Sequence, residues 1–181
     1  MSTSRLTTIS FVILGLIGLR GPSTSYDLER ATSNSIGYFW PFPRAQLYSE
    51  PKKLVDAGLL AVSVEEGGRR RHTYSLTDNG KHRLSEWLAD PLTEPMQVRD
   101  VAELKLFFAE LTTPENIKAM AQEQVEQHSE RLKIYRAKEE RYANIPALEL
   151  RMVPLELGIR IEQTVKDFWE ELAKENEPHT R

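Results

Sequence analysis

One segment departs from the helical spacing of the rest of the chain: "LAVSVEEGGRRRHTYSL", Leu60 to Leu76. "LAVSV" and "HTYSL" each alternate with the period of two that belongs to a half-buried strand, and Thr73 and Tyr74 are good strand formers. Gly67 and Gly68 lie between them and permit a tight turn. The segment predicts a two-stranded antiparallel hairpin. A lone hairpin cannot bury itself, so the fold must set it beside helices. The tip is unusual in charge: Arg69, Arg70, Arg71 and His72 follow one another in a chain whose net charge is -3.

Three helices are expected before the hairpin. "ISFVILGLIGL", Ile9 to Leu19, is continuously apolar but too short for the roughly 20 residues that cross a bilayer, and no small-residue cleavage site follows it. It reads as a buried helix, and Gly15 and Gly18 suggest close neighbours. A second helix starts near Ser25, with Thr24 and Asp27 spaced as a capping box. Gly37, Pro41 and Pro43 then interrupt the chain. The third helix falls in "RAQLYSEPKKLVDAGLL", with Gly58 where its C-cap is expected and Pro51 inside it. After the hairpin, Thr77 caps a fourth helix carrying Leu84, Trp87 and Leu88.

Residues 91–97 hold two prolines and read as a linker between a first domain, 1–90, and a second, 98–181. The second domain is expected to be wholly helical. A short apolar helix covers "RDVAELKLFFAEL". Thr113 caps, and Pro114 begins, a helix of about 30 residues or roughly 45 Å. Ile117, Ala121, Val125, His128, Leu132, Tyr135 and Tyr142 make one seam along it. A final helix from Pro154 carries Leu157, Ile161, Val165, Phe168 and Leu172. One chain offers few partners for both stripes, which points to association with a second copy.

Helix, helix, helix, hairpin is the order of a winged helix-turn-helix, in which the third helix enters the major groove of DNA and the wing reaches a neighbouring groove or backbone. The fold class expected is therefore mainly α with a small β-hairpin. Helical phase puts Leu47, Pro51, Leu54 and Val55 on the core face of the third helix. Ala45, Gln46, Ser49, Lys52, Lys53 and Asp56 lie opposite. Gln46 can bond adenine bidentately, and Lys52 and Lys53 suit phosphates. Arg44, Tyr48 and Ser49 complete the expected DNA-binding face, with Arg69, Arg70, Arg71 and His72 at the wing. A winged helix that binds only proteins is the rival reading.

Charge is uneven: residues 1–90 carry 11 Lys and Arg against 9 Asp and Glu, and residues 91–181 carry 13 against 18. Any anion site must come from local clustering. Cysteine is absent, which excludes disulfides and thiolate metal sites and fits a cytoplasmic protein. His72, His82, His128 and His179 show no ligand spacing, and no P-loop or GxSxG motif is present, so neither an enzyme nor a cofactor or metal is expected. His128 reads as a satisfied interface histidine. The aromatic group Tyr38, Phe39, Trp40 and Phe42 reads as core between the domains, with an effector pocket at Tyr38, Trp40 and Phe42 as the alternative.

"FVILGLIGLRGPSTSYDLE", "FWPFPRAQLYSEPKKLVDAGLL", "TYSLTDNGKHRLSEWL" and "LELGIRIEQTVKDFWEEL" together resemble the PadR family of transcriptional regulators over nearly the whole chain. The hairpin tip is richer in arginine than the family pattern, and Ser25 stands where relatives often have glycine. The resemblance implies a homodimer that binds double-stranded DNA at a palindromic operator, commonly as a repressor. It also implies the longer subfamily, with a multi-helix C-terminal dimerisation domain. Some relatives leave DNA on binding small aromatic or amphipathic effectors. No membrane partner is implied.

Overall fold

The computed structural model describes residues 6–65 and 70–175. Two compact units divide the chain, Met1–Glu94 and Pro95–Arg181. Among the described residues, no helix is long and apolar enough to cross a membrane.

The first unit runs α1 (Thr8–Arg20), α2 (Ser25–Ser33), α3 (Arg44–Asp56), β1 (Leu60–Val64), β2 (His72–Leu76) and α4 (Asp78–Ala89). Helix α1 is its centre. Ile9, Phe11, Ile13, Leu14, Leu16 and Ile17 are all buried, which explains an apolar run without a polar face. Leu28 of α2, Leu47 and Leu54 of α3, and Leu60 and Tyr74 of the hairpin pack against it. Each such side chain contributes about 1.5–3 kcal/mol on burial. Trp87 of α4 stacks on Phe11, with ring centroids 4.7 Å apart and planes within 6°. Leu88, expected on the same face, is 68% exposed in this chain.

Gly15 and Gly18 do not mark close approach: a Cβ at Gly15 meets nothing within 4 Å, and one at Gly18 meets only ordinary side-chain contacts. The tight place is Gly80, in the first turn of α4, where a Cβ would lie 2.1 Å from the Leu59 carbonyl oxygen.

Local signals set the element ends. The Thr24–Asp27 capping box forms, with Asp27 N–H donating to Thr24 Oγ1 at 3.2 Å and Thr24 N–H to Asp27 Oδ2 at 3.0 Å. Helix α3 ends in a Schellman motif: Gly58 adopts φ 71°, its N–H donates to the Val55 carbonyl, and Leu59 N–H donates to the Leu54 carbonyl, both at 2.9 Å. Pro51 is fully buried inside α3, so its ring serves as core filling while the helix forfeits one backbone bond. The hairpin pairs in register from Leu60 opposite Leu76 to Val64 opposite His72. Ser23 adds a short third rung, exchanging two 2.9 Å backbone bonds with Tyr74. A single residue carries no period, so the sequence pattern did not reveal it.

The second unit is α5 (Val101–Phe107), α6 (Pro114–Tyr142) and α7 (Glu149–Glu175). Helix α5 is shorter than expected and passes into a 3-10 turn at Ala109–Leu111. Pro114 then sets the start of α6, disfavouring helical backbone in the residue before it. Helix α7 begins five residues before Pro154, which sits inside its second turn. Lacking an amide hydrogen, Pro154 leaves the Leu150 carbonyl without its i+4 donor, so α7 forfeits one backbone bond there. Helices α6 and α7 pack together along their length. Ala121, Leu132 and Tyr135 are the buried part of the α6 seam. On α7 the buried residues are Glu162 and Trp169. Of the expected stripe, Val165 and Leu172 are half-buried and pack against the cluster of Ala102, Ala121 and Trp169, whereas Leu157, Ile161 and Phe168 are 59%, 41% and 48% exposed. His128 is satisfied within the chain, with Nδ1 2.5 Å from Glu162 Oε2 and Arg131 at 3.5 Å from the same carboxylate.

The chain is thus mainly helical with one antiparallel hairpin, a winged helix-turn-helix followed by long helices.

Candidate nucleic-acid interface

Helix α3 presents two unlike faces. Leu47 and Leu54 are 2% and 1% exposed, whereas Ala45, Gln46, Ser49, Lys52, Lys53 and Asp56 all face solvent. Gln46 and Ser49 form no side-chain hydrogen bond among the described residues, so their donors and acceptors are available. Lys52 is exposed and forms no ion pair among the same residues. The face is shallow at Ala45 and Ser49, which lets a groove floor come near.

Phase alone missed Glu50. It sits on the core side of α3 at 8% exposure. Ser10 of α1 donates to its Oε1 at 2.7 Å and Lys53 to its Oε2 at 2.8 Å. Burial by itself would push this carboxyl up. The hydrogen bonds from Lys53 and Ser10, with the charge of Lys53, outweigh that and hold it below the ordinary value. Lys53 is therefore committed to an internal partner, unlike Lys52. An acid at an apolar phase position with a lysine three residues on was the available signal.

Arg44 and Tyr48 are likewise engaged. Both reach back to Glu29 on α2: Arg44 forms an ion pair with it, and the Tyr48 hydroxyl donates to Glu29 Oε2 at 2.5 Å. Beside them lies a cleft of about 310 Å³, lined among others by Glu29, Thr32, Tyr38, Phe42, Arg44 and Leu47. Tyr38 and Phe42 thus border one cavity. Trp40 does not line it and is 50% exposed.

At the wing, Glu65 N–H donates to the Arg71 carbonyl at 3.1 Å, continuing the hairpin beyond the strands. Arg70 has φ 45°, a left-handed conformation that belongs to a turn. Arg70, Arg71 and His72 are exposed, and the His72 ring meets Tyr74 edge-on at 6.5 Å. Arg69 lies outside the described residues, with Glu66, Gly67 and Gly68.

Comparison with known proteins accords with this geometry. The family model for the transcriptional regulator PadR-like family matches residues 13–86, and the one for the virulence activator alpha C-terminal region matches residues 98–176. The chain is 30% identical over 172 residues to the probable transcriptional regulator Rv1176c of Mycobacterium tuberculosis, covering 84% of this chain and 89% of that protein. It is 29% identical over 126 residues to the negative transcriptional regulator PadR of Bacillus subtilis, covering 68% and 69%. The crystal structure of Bacillus subtilis PadR with operator DNA superposes with a TM-score of 0.84 at 24% identity, over 94% of this chain and all of that one. The same protein crystallised with p-coumaric acid gives 0.75 at 26% identity, over 94% and 96%. The chain belongs to the PadR-like family of DNA-binding transcriptional regulators, a non-enzymatic family.

Proposed function

We propose that the protein is a homodimeric repressor whose first unit, residues 1–90, reads a palindromic operator and whose second, residues 98–181, joins the two copies. The observation that carries this reading is the exposed polar face of α3, opposite a buried face of Leu47, Pro51 and Leu54 in which Glu50 is the one charged residue. Gln46 and Ser49 read base edges there. Arg44, Tyr48, Lys52 and Lys53 meet the phosphates, joined at the wing by Arg69, Arg70, Arg71 and His72. Lys52 is the stronger phosphate contact of the two lysines, because Lys53 must share its charge with Glu50.

The unpartnered stripe of α7 supports the dimer. Leu150, Val153, Leu157, Ile161 and Phe168 are each at least 41% exposed in the single chain. A two-fold dimer would set two α3 helices to half-sites about 34 Å apart, one turn of DNA, or a multiple of this. Repression is supported by the name of the Bacillus subtilis relative, a negative regulator.

Release by a small aromatic effector is the further part of the reading. It is supported by the p-coumaric acid complex of that relative and by the cleft beside Tyr38 and Phe42. Trp40, two residues from each of Tyr38 and Phe42, completes the proposed effector set. Capturing genomic fragments on the purified protein, with and without a panel of phenolic acids, tests operator recognition and effector release. Enrichment of palindromic fragments that a phenolic acid releases is expected. Bulk DNA retained without enrichment would contradict operator recognition, and retention in every acid would contradict the effector.

A further inference from the structure

We propose that Glu29 is an internal counter-anion that occupies Arg44 and Tyr48 in the DNA-free protein and sets the affinity of the site. This rests on the DNA-binding reading of α3. Arg44 and Tyr48 stand one helical turn apart on α3, and one carboxylate from α2 takes both. Its side chain is 13% exposed, while that of Arg44 is 79% exposed. The acid is thus recessed and the guanidinium lies over it, open to solvent.

The chemistry of the donors makes the contact consequential. A phenol has one donor hydrogen, and Tyr48 spends it on Glu29. Its oxygen is left only as an acceptor, and a phosphate diester offers nothing but acceptors. Tyr48 therefore cannot bond a phosphate while it holds Glu29. Arg44 has five donors and can keep some free, but its charge is already neutralised by the same carboxylate. A phosphate presents two anionic oxygens to these groups much as the carboxylate does. Binding is then an exchange: phosphate replaces Glu29 on Arg44 and Tyr48, and breaking the internal pair offsets part of the attraction. The Glu50–Lys53 pair differs, because Ser10 also holds Glu50 within the core.

The test is Glu29→Gln, which keeps shape and an acceptor oxygen but removes the charge. Titrating duplex of random sequence over a range of salt should show severalfold tighter binding at each salt concentration, with the log–log slope unchanged, because Arg44 neutralises the same phosphate in both proteins. On an Arg44→Ala background the same substitution should tighten binding far less, since only Tyr48 remains to be released. Weaker binding by Glu29→Gln would overturn the proposal, as would an equal tightening without Arg44, which would reduce it to a general charge effect. A measurement on the unaltered protein stands if the variant misfolds: the Arg44 guanidinium resonance must shift when duplex is added, and an unmoved resonance in the bound state rejects the exchange. If neither wild type nor variant binds any duplex, the DNA-binding reading itself falls, and this proposal with it.

Discussion

The hydroxyl of Ser10 in α1 donates a 2.7 Å hydrogen bond to the carboxylate of Glu50 on α3. The bond crosses the core, with Ser10 wholly buried and Glu50 8% exposed. It holds the same side of α3 inward as the burial of Leu47, Pro51 and Leu54 does.

Ser10→Ala should destabilise the protein by about 1–3 kcal/mol, because a buried charge loses a partner and the α1 cap loses an acceptor. The effect should depend on pH. Glu50 is held below its ordinary value in the folded protein, so its contribution is complete above the unfolded carboxyl range of about 4 and disappears as pH falls through the folded value. The gap between wild type and variant in urea unfolding should therefore be widest near neutral pH and close in acid. Asp27 gives both proteins a stability dependence of the same sign, since first the Thr24 backbone amide and then its hydroxyl hold that carboxyl down, and this part cancels in the gap. A gap that widens in acid would contradict the assignment.

Gly80→Ala should cost at least about 2 kcal/mol, because its Cβ would stand 2.1 Å from a backbone oxygen that has no room to yield. That oxygen, of Leu59, already accepts from the Thr77 amide at 3.2 Å and hydroxyl at 3.0 Å. The junction of hairpin and α4 should loosen first. A thermal transition unchanged from wild type would show that the approach is not close.

Much of the first unit was legible because its signals are local and periodic. Alternation located both strands, the Thr24–Asp27 spacing marked the start of α2, and Gly58 marked the end of α3. What escaped depends on contacts distant in sequence. Glu50 looked like a polar interruption until Ser10 met it forty residues away, and the Ser23 rung is one residue long. In the second unit, α7 carries apolar residues on more than one face. Spacing found a stripe at Leu157, Ile161, Val165, Phe168 and Leu172, but only packing shows that Val165 and Leu172 join the core with Trp169 while the other three stay exposed. The same cause hid the Glu29 contacts, which join α2 to α3 without any motif.

Replacing Leu157 and Phe168 together by glutamate should yield monomers at micromolar concentration with helix content retained, because both side chains lie outside the α6–α7 contact. Sedimentation velocity and circular dichroism check this. A dimer that persists would place the interface on another surface.

The central claim, that the outward face of α3 reads DNA sequence, is tested most directly by selection from randomised duplexes with wild type, Gln46→Ala and Lys52→Ala. The wild type should return a two-fold symmetric consensus. Gln46→Ala should lose preference at one base pair per half-site, at a cost of about 1–3 kcal/mol, since an amide bonds specific donors and acceptors on a base edge. Lys52→Ala should keep the consensus while weakening every duplex and flattening the salt dependence, since an ammonium responds mainly to phosphate charge. The wild-type consensus returned by Gln46→Ala at undiminished affinity would contradict the account.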